Sequence, residues 1–147
     1  MEITFDDARK RLKQIRWMDN EIDALIEDKK GYMDLATKTT STTDGAGIHG
    51  SGENDKMASI IAKIADMENE IYARIDRLVD YKKQISWIVQ QIEDKECQKI
   101  ITLKFFRYMQ MTDVAKAMNM DRSTVYRKYN KGIEEVRRIL SESDKNK

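Results

Sequence analysis

The chain has 147 residues, 40% of them apolar and none of them proline, a length that suits one domain and a composition that favours long, uninterrupted helices. Lys and Arg (27) nearly balance Asp and Glu (26), so the total charge points to no partner. A single cysteine, Cys97, excludes an internal disulfide framework and a CxxC metal site, and fits a reducing cytosol.

The charge is unevenly spread. Residues 1–94 carry 14 Lys/Arg against 19 Asp/Glu, a net of −5, and residues 95–147 carry 13 against 7, a net of +6. A basic C-terminal third beside an acidic remainder suits a protein that sets one face on phosphates. The N-terminus lacks the apolar stretch of a secretion signal, and no run approaches the ~18 apolar residues of a membrane span. The expectation is a cytoplasmic protein with no membrane partner.

From Phe5 to about Tyr32 apolar residues fall at Phe5, Ala8, Leu12, Ile15, Met18, Ile22, Leu25 and Ile26, the spacing of one helical face. Residues 36–56 are rich in Thr, Ser and Gly and read as a flexible linker. Beyond them Met57, Ile64, Ile71, Leu78, Ile85 and Ile92 recur every seven residues, with Ile60, Met67, Tyr81 and Ile88 in the accompanying positions and Arg74 breaking that second row. This predicts a long helix with a narrow seam, packed antiparallel against the first. The first helix, read as the shorter by two to three turns, leaves part of the seam uncovered. Ile85, Ile88 and Ile92 are the candidates for contact with a second copy, which predicts a homodimer.

From Lys95 the pattern breaks into short helices. The expected architecture is all-α: a helical hairpin over 1–94, a small helical domain over 95–141 and a disordered tail over 142–147. Within that domain Met111 to Ile133 has the spacing of a helix-turn-helix. Val114 and Met118 fill a shared core, Ala115 is small where two helices cross, and Val125 anchors the second helix. Asn119 tolerates the positive φ that the turn requires, and Asp121 can cap the next helix.

That helix would present Arg122, Ser123, Tyr126, Arg127 and Asn130 away from the core. Arginine bonds bidentately to guanine, asparagine to adenine, and tyrosine can bond a base or touch a thymine methyl. Lys104, Arg107, Lys116, Lys128 and Lys131 read as phosphate contacts, which set register without reading sequence. An amphipathic helix with a solvated basic face is the plainer alternative.

The segment LKFFRYMQMTDVAKAMNMDRSTVYRKYNKGIEEV resembles region 4 of bacterial sigma factors through Leu103-Lys104-Phe105, Asp113-Val114-Ala115, Asp121, Val125 and Arg127-Lys128. Tyr108 and Gln110 stand where that pattern has glycine and a Ser/Thr cap, and Gly132 stands where alanine is common. Upstream, RWMDNEIDALIEDKK, LATKTT, KMASIIAKIADMENEI and RLVDYKKQI are similar to small phage and prophage proteins associated with late-gene regulators of the RinA/ArpU type. The resemblance implies a transcriptional regulator bound to double-stranded DNA on the bacterial nucleoid, with RNA polymerase as a possible partner. Nothing matches the sigma region that binds the −10 element. Alternatives are a DNA-packaging protein like a small terminase subunit, or a helical adaptor or inhibitor that binds only host protein.

Other signals carry less. Gly45 to Gly50 matches GxGxxG, but no strand precedes it, and His49 in the same stretch has no second ligand nearby in sequence. Asp6-Asp7 and Glu134-Glu135 are adjacent on helices and point apart. No nucleophile with its base and no metal set emerges, so neither enzyme activity nor a cofactor is expected.

Overall fold

A computed structural model of the chain describes residues 2–43 and 51–145. Among them there is no strand, and the fold is all-α. In chain order the helices are α1 (Phe5–Thr43), α2 (Ser51–Val89), α3 (Lys95–Phe105), α4 (Met111–Met118) and α5 (Arg122–Lys145).

The two long helices reach further into the Thr-rich stretch than periodicity indicates. Helix α1 runs to Thr43 and α2 starts at Ser51, so most of residues 36–56 is helical rather than a linker. Threonine costs a helix only a few tenths of a kcal/mol per residue. The Thr37 hydroxyl finds an acceptor inside the helix, the Met33 carbonyl at 3.0 Å. Both helices have 39 residues, so the second has no excess length to leave uncovered. The GxGxxG match and His49 lie outside the described residues.

The chain divides into two compact units, Asp19–Arg77 and Met1–Met18 together with Leu78–Lys147. This division departs from the boundary expected at residue 94.

In the unit Asp19–Arg77, α1 and α2 run antiparallel: Lys29 pairs with Glu68 at 3.3 Å and Glu21 with Arg74 at 2.6 Å. Ile22, Ile60, Met67 and Ile71 are buried between them. Arg74, the break in the heptad row, is only half-buried. Its guanidinium also bonds Glu70 at 2.8 Å, so the charge leaves the seam by reaching carboxylates on both helices.

The second unit starts with a capping box. The Thr4 hydroxyl accepts the Asp7 N–H at 3.1 Å, while the Asp7 carboxylate accepts the Thr4 N–H at 3.0 Å. Ile3, Ala8, Leu12 and Ile15 are buried behind it. The Tyr81 hydroxyl donates to the Arg11 carbonyl at 2.6 Å, joining the start of α1 to the end of α2. Ile85 and Ile92 are 4% and 1% exposed within the single chain and Ile88 is half-buried. They are therefore not the free seam that the dimer expectation required.

Asp94 ends the turn after α2 and caps α3, accepting the Glu96 and Cys97 N–H groups at 2.9 and 3.2 Å. Cys97 is fully buried, and burial pushes its thiol pKa up. Helix α5 crosses α3 at Gly132, where a Cβ would lie 2.7 Å from Ile101 Cγ1. The glycine therefore serves close approach of the two helices. Ile133, Val136, Ile139 and Leu140 continue the buried face of α5. The helix persists to Lys145, across most of the segment expected to be a disordered tail.

Candidate nucleic-acid interface

Helices α3, α4 and α5 close around Ile100, Val114 and Val125, all fully buried. Leu103, Ala115, Met118 and Tyr129 pack against that centre. Helix α4 and the first half of α5 form a helix-turn-helix. Asn119 adopts φ 56°, ψ 45°, the left-handed conformation expected of the turn. The Met120 N–H returns to the Ala115 carbonyl at 2.9 Å, closing α4. Asp121 accepts the Thr124 N–H at 2.7 Å, and this bond holds its carboxyl below the usual range.

The turn before α4 is a second left-handed site, at Tyr108 with φ 59°. Glycine, which the sigma-like pattern carries here, would adopt this φ without the steric cost that tyrosine bears. The cost of a left-handed tyrosine, ~1 kcal/mol or more, is offset by the Arg16 guanidinium, which lies 5.5 Å from the ring centre. Gln110 takes the cap position of α4 without a side-chain cap bond, in keeping with the missing Ser or Thr.

Arg122, Ser123, Tyr126, Arg127 and Asn130 all lie exposed on one face of α5, opposite buried Val125 and half-buried Tyr129. The face is partly organised by aromatic packing. Tyr129 stacks on Phe105 with ring centres 5.9 Å apart, and Tyr126 meets Tyr129 edge-on at 6.3 Å. The Arg122 guanidinium lies 5.7 Å from the Tyr126 ring centre. Met111, Thr112, Ala115, Arg122 and Tyr126 line a cleft of about 230 Å³ between α4 and α5, which the small Ala115 side chain leaves open. Such a face carries the hydrogen-bond donors that base edges in a major groove can use.

The five cations assigned to phosphate divide into two groups. Arg107 and Lys116 are exposed and in no ion pair among the described residues, and Lys104 is half-buried in the same condition. Lys128 and Lys131 are committed elsewhere. Lys128 Nζ lies 3.1 Å from Glu96 and 3.7 Å from Asp94, and Lys131 Nζ lies 3.2 Å from Asp94. The bond to Glu96 raises the Lys128 pKa, and the Cys97 N–H and Lys131 hold the Asp94 carboxyl far below its ordinary range. These two lysines tie α5 to the start of α3, a structural role that sequence spacing alone could not separate from phosphate binding.

Two residues of the basic surface escape a reading confined to the C-terminal third. Burial lowers the pKa of Lys104, and the charges of Arg16 and Lys13 lower it further. The start of α1 thus adds cations beside α3. Only the fold reveals this, because about ninety residues separate the two segments. Among the described residues no three His, Cys, Asp or Glu side chains gather as a metal site would require.

No helix among the described residues is long and apolar enough to cross a membrane. No curated protein and no solved structure matches the chain. One family model, described as a protein of unknown function (DUF1492), matches residues 38–137. That span is more than half of the sequence, and the chain belongs to this family.

Proposed function

We propose that the protein is a sequence-specific DNA-binding transcriptional regulator that reads the major groove with the first turns of α5. The observation that carries this reading is the exposed face of Arg122, Ser123, Tyr126, Arg127 and Asn130, held on a helix-turn-helix whose turn and cap are both formed. Arg107, Lys116 and Lys104 supply phosphate contacts, with Lys13 and Arg16 extending the basic surface. The resemblance to RinA/ArpU-type regulators extends the reading to phage or prophage genes in a bacterial cytoplasm, with RNA polymerase as the protein to be recruited. Two copies on a two-fold operator would double the read-out. With Ile85 and Ile92 buried, a homodimer would use other surfaces, and sedimentation equilibrium at micromolar concentration measures whether it forms.

Selection of duplexes from a random pool, followed by sequencing, tests the reading. A defined site should be enriched. Arg127→Ala should weaken that site by ~1 to 3 kcal/mol and relax one base position. Enrichment of no sequence, or equal loss on specific and random duplexes, would remove base reading by α5.

A further inference from the structure

Many cations of this chain meet carboxylates, as Arg9, Arg74, Lys128 and Arg138 do. Five around the junction of α2 and α3 do not. Lys82 and Lys83 near the end of α2, Lys95 and Lys99 on α3, and Arg107 just beyond it form no ion pair among the described residues. They line two adjoining lobes of a groove, of about 440 and 570 Å³, which share Ser86, Gln90 and Phe106. No Asp or Glu lines either lobe. At the edge stands Trp87, 65% exposed, an indole in water beside uncompensated positive charge.

The walls of this groove have helical periodicity. Lys82, Ser86 and Gln90 follow one another at four-residue intervals along the end of α2, and Lys95, Lys99, Thr102 and Phe106 do so at four, three and four along α3. Two such ridges side by side form the seat in which a third helix packs. The Gln98 amide donates to the Val89 carbonyl at 3.1 Å and fixes one wall to the other. Helix α3, with 11 residues, offers about 16 Å, or three turns, at ~1.5 Å per residue.

We propose that this groove docks an acidic amphipathic helix from a protein partner, with an apolar side chain seated on Trp87 and Phe106 and carboxylates facing the five cations. The charge of the groove selects an acidic partner. Its helical ridges favour a helix over a nucleic-acid strand, and exposed tryptophan is the residue type most often found at the energetic centre of protein contacts. The proposal does not depend on what α5 reads, since the groove lies on α2 and α3 and shares only Arg107 with the cations assigned to phosphate.

The test uses the full chain carrying Trp17→Phe, so that Trp87 is the sole tryptophan. The probe is a synthetic helix of ~15 residues, about four turns, with Leu along one face and Glu and Ala on the other. A saturable blue shift of Trp87 fluorescence at micromolar peptide is expected. A peptide of the same composition in scrambled order should bind at least tenfold more weakly. The pair Lys83→Glu and Lys99→Glu should also weaken binding at least tenfold, with an unchanged thermal melt, since both lysines are exposed and unpaired. The proposal is overturned if Trp87 does not respond, if the scrambled peptide binds equally well, or if the charge-reversed protein binds as before. It is also overturned if a single-stranded oligothymidine binds the groove more tightly than the ordered peptide, which would make it a nucleic-acid site.

Discussion

Single residues carry much of the register between α3 and α5. A glycine inside a helix ordinarily costs ~1 kcal/mol relative to alanine, and at Gly132 this cost is accepted because Ile101 occupies the space of a side chain. Ile101 is itself fully buried, so it has little room to move. Gly132→Val should destabilise the fold by ~1 to 3 kcal/mol through overpacking, read as a lower urea midpoint with an unchanged slope. Asp94 is the second such position, because one carboxylate caps α3 and binds two lysines of α5. Its folded pKa lies far below its unfolded value. The stability it adds is therefore present above the ordinary carboxylate pKa, about 4, and is lost as pH falls toward the folded value. Asp94→Asn keeps a cap oxygen but loses the charge, so its stability should decline less steeply than wild type below pH ~4. Asp94→Ala loses the cap too and should cost ~0.5 to 2 kcal/mol at neutral pH. Denaturation across pH 2 to 7 tests both variants; parallel curves for wild type and Asp94→Asn would show that the lysine pairs contribute nothing.

At the scale of elements, the helix-turn-helix was the most legible part because its requirements are local. Ala115, Asn119, Asp121 and Val125 stand at fixed offsets, and the structure gives the turn and cap roles to Asn119 and Asp121. Asn119→Gly should match wild type or exceed it by up to ~1 kcal/mol, whereas Asn119→Val should lose ~1 to 2 kcal/mol to the left-handed turn, measured by thermal melting. What sequence reading missed depended on partners distant in the chain. The one local sign of the positive φ at Tyr108 is that the sigma-like pattern has glycine there, and its compensation comes from Arg16, far away in the chain on α1. The same distance concealed Lys13 and Arg16 beside Lys104. If those three cations face phosphates, replacing all three with Gln should lower the slope of log affinity against log salt by up to ~2.7, at ~0.9 per contact. The preferred sequence should not change. The ends of α1 and α2 were misread for the opposite reason: Thr, Ser and Gly composition is only a weak local preference, and a helix that already has long-range contacts can extend through it.

For the whole molecule, the most consequential departure from the sequence pattern is the course of the domain boundary. Hydrophobic periodicity separates a hairpin from a C-terminal domain at residue 94, because it reports which residues face inward and not what they face. The compact unit instead combines Met1–Met18 with Leu78–Lys147, so the fold around the candidate reading helix includes the first turns of the chain. A domain of roughly 45 residues is marginal by itself, and the buried Ile3, Ala8, Leu12 and Ile15 enlarge the core available to it. This makes the stability of α3, α4 and α5 depend on residues more than eighty positions earlier. Leu12 is fully buried, and Leu12→Ala should cost ~2 to 5 kcal/mol. If the unit unfolds cooperatively, that loss reaches the buried core of α3, α4 and α5. Amide hydrogen exchange at Ile100, Val114 and Val125 should accelerate by at least tenfold for each ~1.4 kcal/mol lost, as expected for positions that open only with the whole unit. Exchange at these three amides that matched wild type, while α1 and α2 loosened, would show that the C-terminal helices fold independently of the N-terminal turns.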